Sequence, residues 1–188
     1  MRGLGVLSFL LGAGGLGGCT TDDDPEPRPG RASVPLEIVL VSGAGSLRAE
    51  DRTSLEEGIG DVLSAYVVQA FLGDYPRDDF VRSLDGFTSG AARAAAADLD
   101  LLTAARYDRA EGVTARRLLA RLTVTVAGGD PVGATAQVLF RFRVDTERQE
   151  SRRATLRGRF LLTHQDEGWE VFGYDVRRED VAAGRRAP

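Results

Sequence analysis

Few residues of this chain could do acid–base or nucleophilic chemistry. Its 188 residues include one cysteine, Cys19, and one histidine, His164. A general base needs a tuned pKa inside a pocket. His164 instead falls at the end of an alternating segment, just before the polar turn from Gln165 to Gly168, where an imidazole is normally solvated. Two acid pairs deserve the same scrutiny. Asp98 and Asp100 flank Leu99 in a helical stretch, but residues two apart do not share a helix face, so they read as that helix's polar side and not as a carboxylate dyad. Asp78 and Asp79 fall in the first turn of a short helix, where carboxylates stabilise the helix dipole. The sequence carries no glycine-rich phosphate loop, no His/Asp/Glu cluster at metal-ligand spacing and no nucleophile motif. No catalytic, cofactor-binding or metal-binding residue is expected, and the chain reads as a non-enzyme.

The residue types that remain suit binding. All 24 basic side chains are arginines. Arg121, Arg141, Arg143, Arg153, Arg157 and Arg159 alternate with apolar residues and are interleaved with Thr123, Thr125, Thr135 and Thr155. Planar guanidinium groups hold phosphate and carboxylate bidentately, so a surface gathering these six is a candidate face for anions or an acidic partner. The same residues also fit a solvated sheet face with cross-strand Arg and acid pairs. Charge is segregated along the chain: residues 35–112 carry 7 arginines against 14 acids, and residues 113–188 carry 14 against 10. The formal net charge of −4 argues against nucleic acid.

The elements that would position these groups follow from periodicity. Leu36 to Val41 reads as an edge strand. Leu55, Ile59, Val62, Leu63, Tyr66, Val67, Ala70 and Phe71 make an apolar stripe along a helix from about Asp51 to Leu72, with a capping box at Ser54/Glu57 or Thr53/Glu56 and a stop at Gly73. A short helix is expected from Asp74 through Leu84, and a third, capped by Ser89, from Ala91 to Ala105. Four strands then form a meander: one from Leu118, one from Val132 to Val144, one through Ala154, Leu156, Gly158, Phe160 and Leu162, and one from Trp169 to Val176. In the last of these the apolar parity shifts between Trp169/Val171 and Phe172/Tyr174/Val176, which predicts a bulge.

Before all of this comes MRGLGVLSFLLGAGGLGGC, with Arg2, an apolar run from Leu4 to Leu16, then small residues before Cys19. That layout is a secretory signal. The run is too short for the ~20 residues of a bilayer-crossing helix. LGGC resembles the lipobox of bacterial lipoproteins, and the resemblance implies cleavage before Cys19 and a diacylglyceryl group on its sulfur. Two acyl chains anchor a protein firmly where one holds it marginally. Asp22, Asp23, Asp24 and Glu26 follow among prolines, a composition that reads as a disordered tether. The expected organisation is a signal peptide over 1–18, a tether over 19–34, a folded domain over 35–178 and a flexible tail over 179–188.

A long sheet with one apolar face needs cover, and the preceding helices supply it. Helices followed by a meander ending in GWEVFGYDV resemble the NTF2-like, cystatin-like α+β superfamily. The resemblance implies N-terminal helices packed on a curved antiparallel sheet of four to five strands, with a homodimer through the sheet as a candidate assembly. It leaves two readings of function. One is a non-catalytic, extracytoplasmic, lipid-anchored binding or scaffolding module, whose candidate partners are the membrane, an envelope protein or an anionic polymer. The other is a small-molecule-binding protein, or an enzyme like the superfamily's isomerases and dehydratases. It would use a cavity lined by aromatics such as Tyr66, Phe71, Phe140, Phe160 and Tyr174. Those same rings equally suit a filled core.

Overall fold

Apolar residues at every second position, from Leu118 to Val126 and again from Ala134 to Val144, can be buried together only on one side of a sheet. In the computed structural model, which describes residues 34–107, 109–147, 151–166 and 168–182, these segments become the middle of a five-stranded sheet. Its strands are β1 (Leu36–Ser42), β2 (Ala110–Ala127), β3 (Asp130–Thr146), β4 (Ser151–Gln165) and β5 (Gly168–Ala182), lying side by side in chain order. Cys19, the leader and the tether lie outside the described residues.

The sheet is mixed, which corrects the expectation of an antiparallel one. β2 to β5 pair antiparallel, but β1 pairs parallel with β2, Leu36 facing Leu118 and Leu40 facing Leu122. The cause is the connection: every helix lies between these two strands, and a crossover of that length brings the chain back in the same direction. The strands also run further than their apolar cores. β2 begins at Ala110, and β5 continues past Val176 to Ala182, so residues 179–182 belong to the sheet and not to a tail. The bulge expected in the last strand is present. Leu161 faces Gly173 and Leu162 faces Val171, leaving Phe172 as the extra residue, 51% exposed.

Helix α1 (Ala49–Ala70) lies on the apolar face and buries Leu55, Ile59, Leu63, Tyr66, Val67 and Ala70. No capping box forms, because Thr53 and Ser54 lie inside the helix. Arg48 instead precedes the first turn, with its guanidinium 2.8 Å from both Asp51 and Glu50. Residues 74–80 are not helical, and only Val81–Leu84 forms a 3₁₀ turn. The expected third helix is broken in two. α2 (Ser89–Ala96) is capped by Thr88, whose hydroxyl accepts from the Ala91 N–H at 3.4 Å, and α3 (Leu99–Leu102) follows after a kink at Asp98. The break lets Leu102 enter the core while its carbonyl accepts from the buried Tyr66 hydroxyl.

Aromatic rings fill the space between helices and sheet. Phe71 stacks on Phe142 with ring centres 4.2 Å apart, and Tyr66 meets Phe160 edge-on at 5.1 Å. Trp169 lies so close to α1 that a Cβ on Gly58 would stand 2.8 Å from its ring. At one end of this layer a guanidinium is buried. The Arg178 side chain, 2% exposed, sits over the rings of Tyr107 and Phe71. It donates to Asp180 at 3.3 Å, to the Asp100 carbonyl at 3.0 Å and to the Thr103 carbonyl. Asp180 also accepts from the Tyr107 hydroxyl and lies 3.0 Å from Arg106. Burial is the main cause that raises the Tyr107 hydroxyl to about 12.

β4 passes through Gly158 at φ +144°, and a Cβ there would stand 2.1 Å from the Asp175 carbonyl oxygen. A side chain at this position meets both left-handed strain and backbone overlap. Gly158→Ala is expected to lower the thermal midpoint by an amount equivalent to at least about 1–3 kcal/mol. Gly90→Ala, in α2 with open space around it, is expected to hold or raise the midpoint, by up to about 1 kcal/mol. A tolerated Gly158→Ala would contradict the positive φ and the close backbone approach at this position.

Candidate functional site

With the apolar parity of β2, β3 and β4 spent on the helix side, the intervening residues all face outward. Arg121, Arg141, Arg143, Arg153, Arg157 and Arg159 are every one exposed on that outer face. Arg116, Arg117 and Arg177 join them. The Arg116–Arg117 pair is accommodated by a bulge between Ala115 and Arg117. That bulge was legible in sequence: Ala115 and Leu118 both point inward, three apart where alternation requires two. Arg177 falls inside the part of the last strand that apolar patterning did not reveal.

The register decides what these arginines face. Arg117 stands opposite Arg141, Arg143 opposite Arg153, and Arg157 opposite Arg177. Like charges directly opposite on a sheet destabilise it, and here three such pairs occupy successive levels of one face. Leu119 facing Leu139 shares the level of Arg157 and Arg177, and Thr123 faces Thr135 beyond it. The acids sharing this surface are Glu37, Asp145, Asp175 and Glu179, fewer than half the arginines.

Three ion pairs offset part of the repulsion. Arg159 lies 2.6 Å from Asp175, Arg143 lies 2.8 Å from Asp145, and Arg157 pairs with Glu179. The hydrogen bond from Arg159, and then its charge, hold the Asp175 carboxyl below the usual carboxylate range. Partial burial pushes Asp145 the other way, but hydrogen bonds from Ser151 and Arg143 outweigh it and leave that carboxyl lowered as well. Arg117, Arg121, Arg141 and Arg177 have no carboxylate within 4.0 Å among the described residues.

The outer face is grooved. A depression of about 590 Å³ is lined by Leu119, Arg121, Gln137, Leu139, Arg157, Arg159, Arg177 and the carboxylate of Asp175. It shares Leu139 and Arg157 with a second of about 470 Å³ that takes in Arg116, Arg141, Arg153, Thr155 and Glu179. It shares Arg121, Gln137 and Arg159 with a third of about 400 Å³ that reaches Val41, Thr123 and Thr135. Together they run along β3 from Thr135 to Arg141, roughly 20 Å at ~3.4 Å per residue.

The other candidate groups are dispersed. Asp98 accepts from the Tyr174 hydroxyl at 2.7 Å, and Asp100 offers its carbonyl to Arg178. Asp79 stands 3.9 Å from Arg82 outside any α-helix, which corrects its placement in a helical first turn. His164 is exposed, its ring centre 5.1 Å from that of Trp169. No group of three or more His, Cys, Asp and Glu among the described residues is placed to hold a metal. The buried Arg178 escaped the sequence reading, although it shares the inward parity of Tyr174 and Val176.

No family model matches this chain, and no curated protein does. A solved structure from Novosphingobium aromaticivorans, described provisionally as an aromatic ring hydroxylase, is similar over 72% of this chain and 95% of its own, with 16% identity and a TM-score of 0.45. That likeness is too distant to carry an argument.

The Arg159–Asp175 pair can be tested by titration. In Arg159→Gln the Asp175 carboxyl, followed by carbon-detected NMR, is expected to titrate closer to the ordinary ~3.9. Asp51, held low chiefly by its hydrogen bond from Arg48, is expected not to move. Because the pair favours the ionised carboxylate, its small contribution to stability is present above the unfolded pKa and lost as pH falls through the lower, folded one. An unchanged Asp175 midpoint would contradict the pairing.

Proposed function

We propose that this protein is a lipid-anchored, extracytoplasmic binding module of the cell envelope, non-catalytic, with the outer face of its sheet as the working surface. The observation that carries the reading is the set of directly opposed arginines. A sheet face that had only to be soluble would set acids across from them, since cross-strand pairs of opposite charge stabilise and like pairs destabilise. Keeping Arg117 against Arg141, neither with a carboxylate within 4.0 Å among the described residues, is unfavourable until an anion lies between them. The helix side offers less: Phe71, Phe142, Tyr66 and Phe160 occupy the space where a cone-type pocket would lie. At the level of fold, we place the α+β domain with the NTF2-like proteins. Helices laid across a long sheet whose last strand is aromatic support that placement.

The anchor rests on LGGC ahead of Cys19. No helix among the described residues is long and apolar enough to cross a membrane, so a stable hold on the bilayer through helices would have to come from outside them.

Cys19→Ala is expected to leave an unprocessed or untethered protein, as globomycin treatment should for the natural chain. Unchanged membrane retention would refute lipidation at Cys19. In a parallel pulldown from the envelope, a variant with Arg141, Arg143, Arg157 and Arg159 all changed to Glu is expected to lose the partners the natural chain retains. Identical partners from both would sink the arginine face as the working surface.

A further inference from the structure

The two sides of this domain carry opposite charge. Along β3 from Arg143 to Gln137, the outer face sets nine arginines against Glu37, Asp175 and Glu179 among the described residues, with Asp145 at its margin. The connection that covers the other face, residues 43–107, carries six arginines against eleven acids. We propose that the outer face lies against the anionic phospholipid bilayer that holds the acyl chains on Cys19, so that the domain rides with its sheet towards the lipid; this rests on reading the outer face as the working surface and Cys19 as the anchor. No ion pair on the face has to open. Arg157 keeps Glu179 and Arg159 keeps Asp175. The surplus arginines, Arg117, Arg121, Arg141 and Arg177, have no carboxylate within 4.0 Å among the described residues and would meet lipid phosphates.

The surplus arginines are spread and not gathered about one point. Arg121 on β2 and Arg177 on β5 are three strands apart, about 14 Å at ~4.8 Å per strand, which suits many separate phosphates in a plane. Phe172 points the same way. As the extra residue of the β5 bulge it projects outward, 51% exposed, beyond the arginine levels and next to Gly173, which faces Leu161. Aromatic rings favour the headgroup depth of a membrane. The anchor can deliver the face, because β1 begins at Leu36 opposite Leu118, beside the level of Arg117, and the chain from Cys19 to Leu36 spans at most about 60 Å. Attraction alone would not bring the chain there, since its formal net charge is −4. With the sheet down, however, the acids of the connection stand behind a layer about 10 Å thick, more than the Debye length of ~8 Å at physiological salt. Inverted, those acids would face the phosphates. A second copy could set its acidic connection on the same face, but that head-to-tail contact does not close and leaves a basic face free at one end.

The test uses the mature lipidated chain reconstituted into vesicles, with a fluorophore on one introduced cysteine. Thr125→Cys places it on the outer face, and Val81→Cys, at a position 60% exposed, places it in the helical connection. With Cys19 acylated, the introduced thiol is the one that reacts. A lipid with a nitroxide on its headgroup quenches whichever side lies down. In vesicles of phosphatidylcholine with phosphatidylglycerol, the label at 125 is expected to be quenched at least about twofold more than the label at 81. In phosphatidylcholine alone, or in about 0.5 M sodium chloride, the two are expected to be quenched alike. Arg117→Gln/Arg141→Gln is expected to remove about half of the excess. Arg82→Gln/Arg93→Gln, which removes the same charge from the connection, is expected to keep or enlarge it. Thermal melts of both variants establish that they fold. Equal quenching at the two positions in anionic vesicles would overturn the proposal. So would an excess indifferent to lipid charge, or equal loss in the two variants. An excess that vanishes as the chains sediment into oligomers would assign the face to a second copy instead. Where the bilayer fails, partners in the envelope pulldown that still depend on the arginines would leave the outer face as the working surface, and partners that do not would overturn both.

Discussion

Successive residues of a strand point to opposite faces, and this molecule is arranged around that alternation. β2, β3 and β4 devote one parity to Leu118, Leu122, Ala136, Phe140, Phe142, Leu156 and Phe160, all buried under the helices. Every residue between them is therefore committed to the other face, and the arginines there cannot turn inward without carrying the core outward. Such a flip would expose each buried ring, at a cost of about 1.5–3 kcal/mol for each large apolar side chain. The repulsion among opposed arginines is much smaller, on the order of 0.2–1 kcal/mol per cross-strand pair. Core burial wins, and the charged face is held in place against its own repulsion.

The same comparison explains the treatment of Arg178. It is on the inward parity, so it must be buried or the strand must bulge. Aromatic faces from Tyr107 and Phe71, the Asp180 carboxylate and two backbone carbonyls receive it. Burying a charge is costly unless it is paired and hydrogen-bonded. This cluster ties the end of β5 to the segment between α3 and β2, which is why the last strand continues well past its apolar portion.

Much of the fold was legible in the sequence. The alternation of β3 placed Ala134 through Val144 inward, the stripe on α1 identified its buried face, and the parity break around Phe172 marked a real bulge. What was missed has two causes. The ends of β2 and β5 are polar, so apolar periodicity stopped short at Leu118 and Val176, while backbone pairing carried on through residues that polarity alone assigns to loop or tail. The kink at Asp98 was hidden for the opposite reason: an alanine-rich run has high helix propensity throughout, and only tertiary contacts through Leu102 and Tyr174 decide where it breaks. The alternation of the strands leaves the six candidate arginines on the outer face, but their opposition to one another depends on register. Register is a long-range property that composition does not carry.

The account's central claim is that opposed arginines on the outer face repel one another until an anion relieves them. Thermal unfolding of the full chain in sodium chloride and in sodium tripolyphosphate at matched ionic strength, with and without Arg117→Gln/Arg141→Gln, tests it most directly. In chloride the variant is expected to melt about 0.4–4 °C higher, from ~0.2–1 kcal/mol of repulsion removed at roughly 2–4 °C per kcal/mol. In tripolyphosphate the natural chain is expected to gain more than the variant, because an anion that binds only the folded face stabilises it. A variant that melts lower in chloride, or responds equally to tripolyphosphate, would contradict the claim.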